Sequence, residues 1–178
     1  MITRRSLLLA LPAAAILAGC GSLAPIAPVT VVRPSLKEGS AEAADQILDQ
    51  LRDRGVLTDD PLLVLTFQEL RYLRDSRGLG KVAAEMVASR LVKAGRRVVD
   101  LRYAGAITIT ESNGETVLSR DVAKLASSHN AKVVVTGTYV DLGGEVNVSI
   151  RAVSSADGVV LASADFSISA ESVKKLLG

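Results

Sequence analysis

The chain has 178 residues, with 21 Lys and Arg against 19 Asp and Glu and a single histidine. So small an excess of positive charge, interspersed with acids, is not the basic footprint that a phosphate backbone requires, which argues against nucleic acid as a partner. Two Phe, three Tyr and no Trp also leave little from which to build a stacking platform for sugars or single-stranded bases.

At the amino terminus, Arg4 and Arg5 precede Ser6 to Gly19, a charge-free run of Leu, Ala and Ile that ends at Cys20, the only cysteine. A positive n-region, a short apolar h-region and small residues at the end form the order of an export signal. At 14 residues with Pro12 inside it, the run falls short of the roughly 20 needed to cross hydrocarbon. Leu17-Ala18-Gly19-Cys20 matches the lipobox of bacterial lipoproteins. That match implies cleavage before Cys20, with a covalent diacylglycerol and an N-acyl chain on that residue. Lipid modification also accounts for a thiol that has no intrachain partner. Several acyl chains on one residue anchor firmly where a single chain binds reversibly.

Thr3-Arg4-Arg5-Ser6-Leu7-Leu8 also resembles a twin-arginine signal, so the general and the twin-arginine export routes both stay open. Gly21 stands where an inner-membrane retention signal carries Asp, so the expected location is the outer membrane, with the domain in the periplasm. Removing residues 1–19 takes both arginines away and leaves a formally neutral mature chain of 19 basic and 19 acidic residues.

Residues 20–39 contain Pro25, Pro28 and Pro34 with Ser22, Ser35 and Gly39, and read as an extended tether at about 3.1 Å per residue. Residues 40–178 are one domain's worth, enough to bury about two-thirds of the unfolded surface around a single core. Ser40 to Arg54 places Ala44, Ile47, Leu48 and Leu51 on one helical face, with Ser40 as N-cap and Gly55 as the stop. Leu62 to Phe67 is a continuous apolar run, as in a strand covered on both faces. Leu79 to Ala94 predicts a second helix ended by Gly95, and Arg96 to Leu101 a second strand, together a βαβ unit with parallel strands.

Asn113-Gly114 between Ile107–Thr110 and Thr116–Leu118 predicts a hairpin. Ser119 can cap a short helix with Asp121 in its first turn and Val122, Leu125 and Ala126 facing inward, ending near Asn130. Lys132 to Val140 reads as a buried strand. It is followed by antiparallel strands that turn at Gly143-Gly144 and at Ala156-Asp157-Gly158 and alternate apolar with polar residues. The fold class is therefore α/β, an α+β mixed sheet in a small two- or three-layer domain.

Candidate sites are weak. A Ser-His-Asp triad would need His129, but the chain has no Gly-x-Ser-x-Gly elbow, and His129 lies at a predicted helix end. Gly78-Leu79-Gly80-Lys81 opens a helix as a phosphate loop does, yet Asp75 and Val82 stand where that motif needs Gly and Ser or Thr. An anion or partner contact through Arg71, Arg74, Arg77, Gly78, Gly80 and Lys81 is the surviving alternative. One His and one Cys exclude a structural zinc site, and Asp59-Asp60 before Pro61 is explained by a solvated turn. No cofactor and no metal are expected.

Leu65-Thr66-Phe67-Gln68-Glu69-Leu70, Gly80 with Val82-Ala83-Ala84-Glu85-Met86, and Gly95-Arg96-Arg97-Val98-Val99-Asp100-Leu101-Arg102 follow one another along the chain. Glu115 to Asp121 and Val133-Val134-Val135-Thr136-Gly137-Thr138-Tyr139 come next. In this order the segments resemble the FlgO-type flagellar outer-membrane protein domain, over about Leu62 to Ile168. In outline the domain is also similar to the amino-terminal domain of TolB and to the curli-secretion lipoproteins. The resemblance implies a non-enzymatic envelope protein tied to motility, whose partners are envelope proteins such as flagellar basal-body or ring components. It carries no catalytic residue. The helix from Ser40 to Arg54 falls outside it.

Overall fold

The computed structural model describes residues 33–71, 78–100 and 120–177, all within a unit that spans Val32–Gly178. Its first helix, α1, covers Leu36–Asp53 and begins with a reciprocal capping box. The Glu38 N–H donates to the Ser35 hydroxyl at 3.3 Å, and the Ser35 N–H donates to the Glu38 carboxylate at 2.9 Å. These bonds hold the Glu38 carboxyl below its ordinary pKa. Two expectations are corrected here. Ser40 is an interior residue with no exposed surface rather than the N-cap, and residues 36–39 form the first turn of the helix rather than tether. The earlier start satisfies two backbone N–H groups and buries Leu36, which a cap at Ser40 would leave in water. At its other end α1 stops at Arg54, followed by Gly55 at φ +74°, as expected.

Strand β1, Leu62–Val64, and strand β3, Val98–Val99, pair in parallel on either side of helix α2, Gly78–Lys93, giving the expected βαβ unit. The apolar run from Leu62 is not one strand. Pairing stops after Val64 and resumes in a two-residue strand β2, Gln68–Glu69, because Phe67 between them turns its ring into the core. Strand β4, Val133–Asp141, is central: it pairs in parallel with β1 and β2 and antiparallel with β5, Glu145–Ser154. Strand β6, Val160–Ser169, completes the meander, and the sheet order is β3-β1-β4-β5-β6 with β2 beside β4.

Alternation along β1 and β4 assigns the two faces. Leu62, Val133 and Val135 join α1 and α2 in the larger core, whereas Leu63 and Val134 meet Val122, Leu125 and Ala126 of helix α3, Arg120–Ser128. β1 and β4 thus form the middle of three layers. Beyond them the outward face of the meander is polar, with Asn147, Ser149 and Arg151 opposite Ser167, Asp165 and Ser163. The sequence reading did not foresee helix α4, Ala170–Leu177, which leaves β6 directly and packs Val173 on the larger core. The predicted hairpin at 107–118 and the Ser119 cap lie outside the described residues.

Two glycines fix how closely α2 approaches the sheet. A side chain at Gly137 would press on the Phe67 ring at 2.8 to 3.0 Å, and one at Gly80 would overlap the Phe67 carbonyl. The Phe67 ring is therefore held on the glycine side of β4 while its backbone N–H donates to the Gly80 carbonyl at 3.3 Å. At the opposite edge the Gln50 amide answers both outward backbone groups of Ser163. Its nitrogen donates to the carbonyl at 2.8 Å, and its oxygen accepts from the N–H at 3.1 Å. Helix α1 thereby blunts β6 as a template for pairing.

Candidate functional site

Helix α2 is apolar around most of its circumference. Ala83, Ala84, Val87 and Leu91 are buried in the core, but Val82, Met86 and Ala88 stay half-buried and Val92 is 55% exposed. A helix apolar all round is ordinarily covered all round. Here the solvent side is a ridge of Lys81, Glu85, Ser89 and Lys93, exposed residues at i, i+4 spacing, with an open groove on each flank.

The first groove lies between α1 and α2. Its floor is Ala41, Val82 and Met86, with Lys37 on the α1 side, and its volume is about 720 Å³. Arg90 ties the two helices together by a fork onto Asp45, Nε to Oδ1 at 2.8 Å and Nη2 to Oδ2 at 2.7 Å. That fork raises the Arg90 pKa further. The second groove, about 760 Å³, lies between α2 and β3, the outermost strand on that side among the described residues, with Val64, Ala88, Val92, Val98 and Val99 along it and Asp100 at its rim.

The residues singled out in the sequence do not converge. Gly80 is closed against Phe67 and serves packing, so it opens no cradle for an anion. Gly78 is exposed at the first position of α2, Arg71 is exposed, and Arg74 and Arg77 lie outside the described residues. Among the described residues, Lys81 is the member of that set that lines a groove, and it lines both. Cys20 and the lipobox residues Leu17, Ala18 and Gly19 also lie outside the described residues. His129 ends α3, its backbone N–H shared between the Leu125 and Ala126 carbonyls at 3.3 Å, and Asn130 follows at φ +52°.

Asp60 is more than a solvated turn residue. Its carboxylate accepts from Lys132 at 2.9 Å and from the Leu57 N–H at 3.1 Å, and these bonds, led by the Lys132 contact, hold its pKa down. Beside it Arg96 is only 8% exposed, with Nε and Nη2 unpartnered among the described residues. Burial lowers the Arg96 pKa, against the opposing field of Asp60. Neither groove is lined by Arg96. Among the described residues no group of three His, Cys, Asp or Glu could hold a metal ion, and no helix is long and apolar enough to cross a membrane.

What sequence reasoning missed is that α2 keeps apolar residues on its open side. The signal was present in Val82, Met86, Ala88 and Val92, which fall off the buried stripe of Ala83, Val87 and Leu91.

The fold defines a class, the small mixed-sheet module of which the LpoB carboxy-terminal domain is an example. The LpoB C-terminal domain from Escherichia coli superposes with a TM-score of 0.55 at 14% identity, over 72% of this chain and 97% of that one. The corresponding domain from Salmonella enterica gives 0.53 at 15% identity with the same coverage. The NMR structure of E. coli LpoB gives 0.55 at 16% identity, over 93% of this chain and 82% of that one. At these identities the likeness is one of fold. No curated protein shows significant sequence similarity to the chain. The model of the family described as FlgO protein matches residues 41–173, and the chain belongs to that family. The match takes in most of α1, which the resemblance from Leu62 to Ile168 had left out, as expected of a helix whose buried face completes the core over β6. Membership of the FlgO family supports a bacterial envelope protein, and the lipobox is the sequence's own indication of a lipid anchor.

Proposed function

We propose that this lipoprotein is held in the outer membrane by acyl chains on Cys20, after cleavage between Gly19 and Cys20, and presents its domain to the periplasm as a non-enzymatic, partner-binding assembly factor of the flagellar apparatus. The tether then comprises residues 20–35. The FlgO family match and the lipobox support the compartment, and Gly21 in place of Asp supports the outer membrane. Partner binding is carried by one observation: the open side of α2 keeps apolar residues in two grooves along a charged ridge. Such a surface is stable in water only at a cost, which a docked protein relieves.

Anchoring is tested by metabolic labelling with a clickable palmitate analogue. The precursor takes up label and fractionates with the outer membrane, and Cys20→Ser does neither. Deletion of the gene tests the flagellar role. Reduced swimming, with altered flagellar number or basal structure, is expected. Normal motility and normal flagella in the deletion strain contradict the flagellar assignment while leaving the anchor intact.

A further inference from the structure

We propose that the groove between α1 and α2 receives an acidic amphipathic helix from a protein partner, laid alongside α2. This rests on reading the domain as a partner-binding module and names what that module takes. The floor of the groove, Ala41, Val82 and Met86, is half-buried and apolar, and the Met86 thioether adapts to an irregular apolar surface. Its rim is cationic. Lys37 on one wall and Lys81 and Lys93 on the other have no ion-pair partner among the described residues. Asp45 nearby is engaged by the Arg90 fork, and the three rim lysines outnumber Glu85. A net positive rim above an apolar floor is complementary to a segment with acids flanking an apolar stripe.

The walls decide the conformation of that segment. Both are helices whose backbone groups are bonded internally, so the groove offers no open ladder to an extended peptide, which would leave its own N–H and C=O groups unanswered. A helix arrives with those groups satisfied. A bilayer is the other anionic surface an anchored domain meets, but membrane docking uses an apolar face that protrudes into the interface, and this floor is recessed between two helices. From Lys81 to Lys93 along α2 is about 18 Å at 1.5 Å per residue, so the incoming helix contributes about three turns, with apolar residues at i, i+3 or i+4, and i+7.

The test uses the full-length lipoprotein in its own cells, with a photo-crosslinking amino acid at Met86 in one strain and at Ser149, on the polar sheet face, in another. Crosslinked peptides are sequenced by mass spectrometry. The expected product at position 86 is a peptide of net negative charge with helical apolar spacing. Lys37→Glu, Lys81→Glu and Lys93→Glu together are expected to cut its yield about tenfold, from three rim ion pairs of ordinary strength. Lys37→Glu alone, on the opposite wall and remote from the fold's core, is expected to give a smaller drop. A basic, extended or lipid adduct at position 86, or a yield unmoved by charge reversal, overturns the proposal and leaves partner binding standing. Protein adducts from position 149 alone do the same. No protein adduct from either position overturns partner binding itself, and the proposal with it.

Discussion

Replacing Gly80 with alanine sets two effects against each other. Alanine is favoured over glycine inside a helix by about 1 kcal/mol, and by less this near the start of α2. Against that stands the space: the added methyl overlaps the Phe67 carbonyl oxygen and comes within 3.1 Å of the Tyr139 ring. The carbonyl belongs to the backbone and cannot rotate away, so α2 must lift and strain the bond from the Phe67 N–H to the Gly80 carbonyl, 3.3 Å long. Overpacking of this kind costs about 1–3 kcal/mol, and a lost hydrogen bond about 1 kcal/mol more. The net expectation is a destabilisation of about 2 kcal/mol, or a Tm lower by about 4–8 °C for a domain of this size. Far-UV circular dichroism of the full chain in detergent reads it directly. Gly144→Ala is the control: nothing lies within 4 Å of the added methyl, and little change is expected. A Gly80→Ala protein that melts with or above the wild type would refute the idea that this glycine serves the close approach of α2 to Phe67.

Asp60 gives a pH dependence with a definite sign. Its pKa is depressed in the folded state, so its contribution is present above the ordinary carboxylate range and is lost as pH falls through the lowered value. Asp60→Asn is therefore expected to be less stable than wild type near neutral pH, with the gap closing below about pH 4 in urea titrations; a gap independent of pH contradicts the assignment. The Asp45–Arg90 fork joins side chains that are each 41% exposed, so a double-mutant cycle with Asp45→Ala and Arg90→Ala is expected to give only the weak coupling of solvent-exposed ion pairs. A coupling of the size found for buried pairs would mean that the fork is far better shielded from solvent than this exposure allows.

Elements declared by unbroken periodicity were legible in the sequence. The alternating Val146, Val148 and Ile150 and the triple valine at 133–135 fall where the pattern put them, and so does the helix α2, though Val82 and Met86 of its stripe stay half-buried. Boundaries set by local hydrogen bonds were harder. The start of α1 is written as Ser35-x-x-Glu38, but the neighbouring prolines and Gly39 drew that stretch into the tether. The break in the run from Leu62 to Phe67 is a tertiary event: Phe67 leaves the strand because Gly80 on α2 and Gly137 on β4 leave room for it. The candidate site was invisible for a related reason. A half-buried Met86 and a buried Val87 look alike in a helical pattern, and only the placement of α1 decides which of the two stays open.

The two ends of the fold are stitched together over long stretches of chain. Gln50 on α1 bonds Ser163 on β6 at a separation of 113 residues, and Arg33 meets Glu145 at a separation of 112. A polypeptide threaded across the inner membrane amino-terminus first therefore delivers α1 well before the strand that covers it. Through that interval Ala43, Ala44, Ile47 and Leu51 have no core to enter, and the helix is an adhesive surface held beside the membrane. In export through a narrow channel that surface stays uncovered until β6 has emerged. Export of the folded domain, the route that the Arg4-Arg5 pair resembles, abolishes the interval altogether. The topology turns the choice of translocation pathway into a question of when the last strand becomes available.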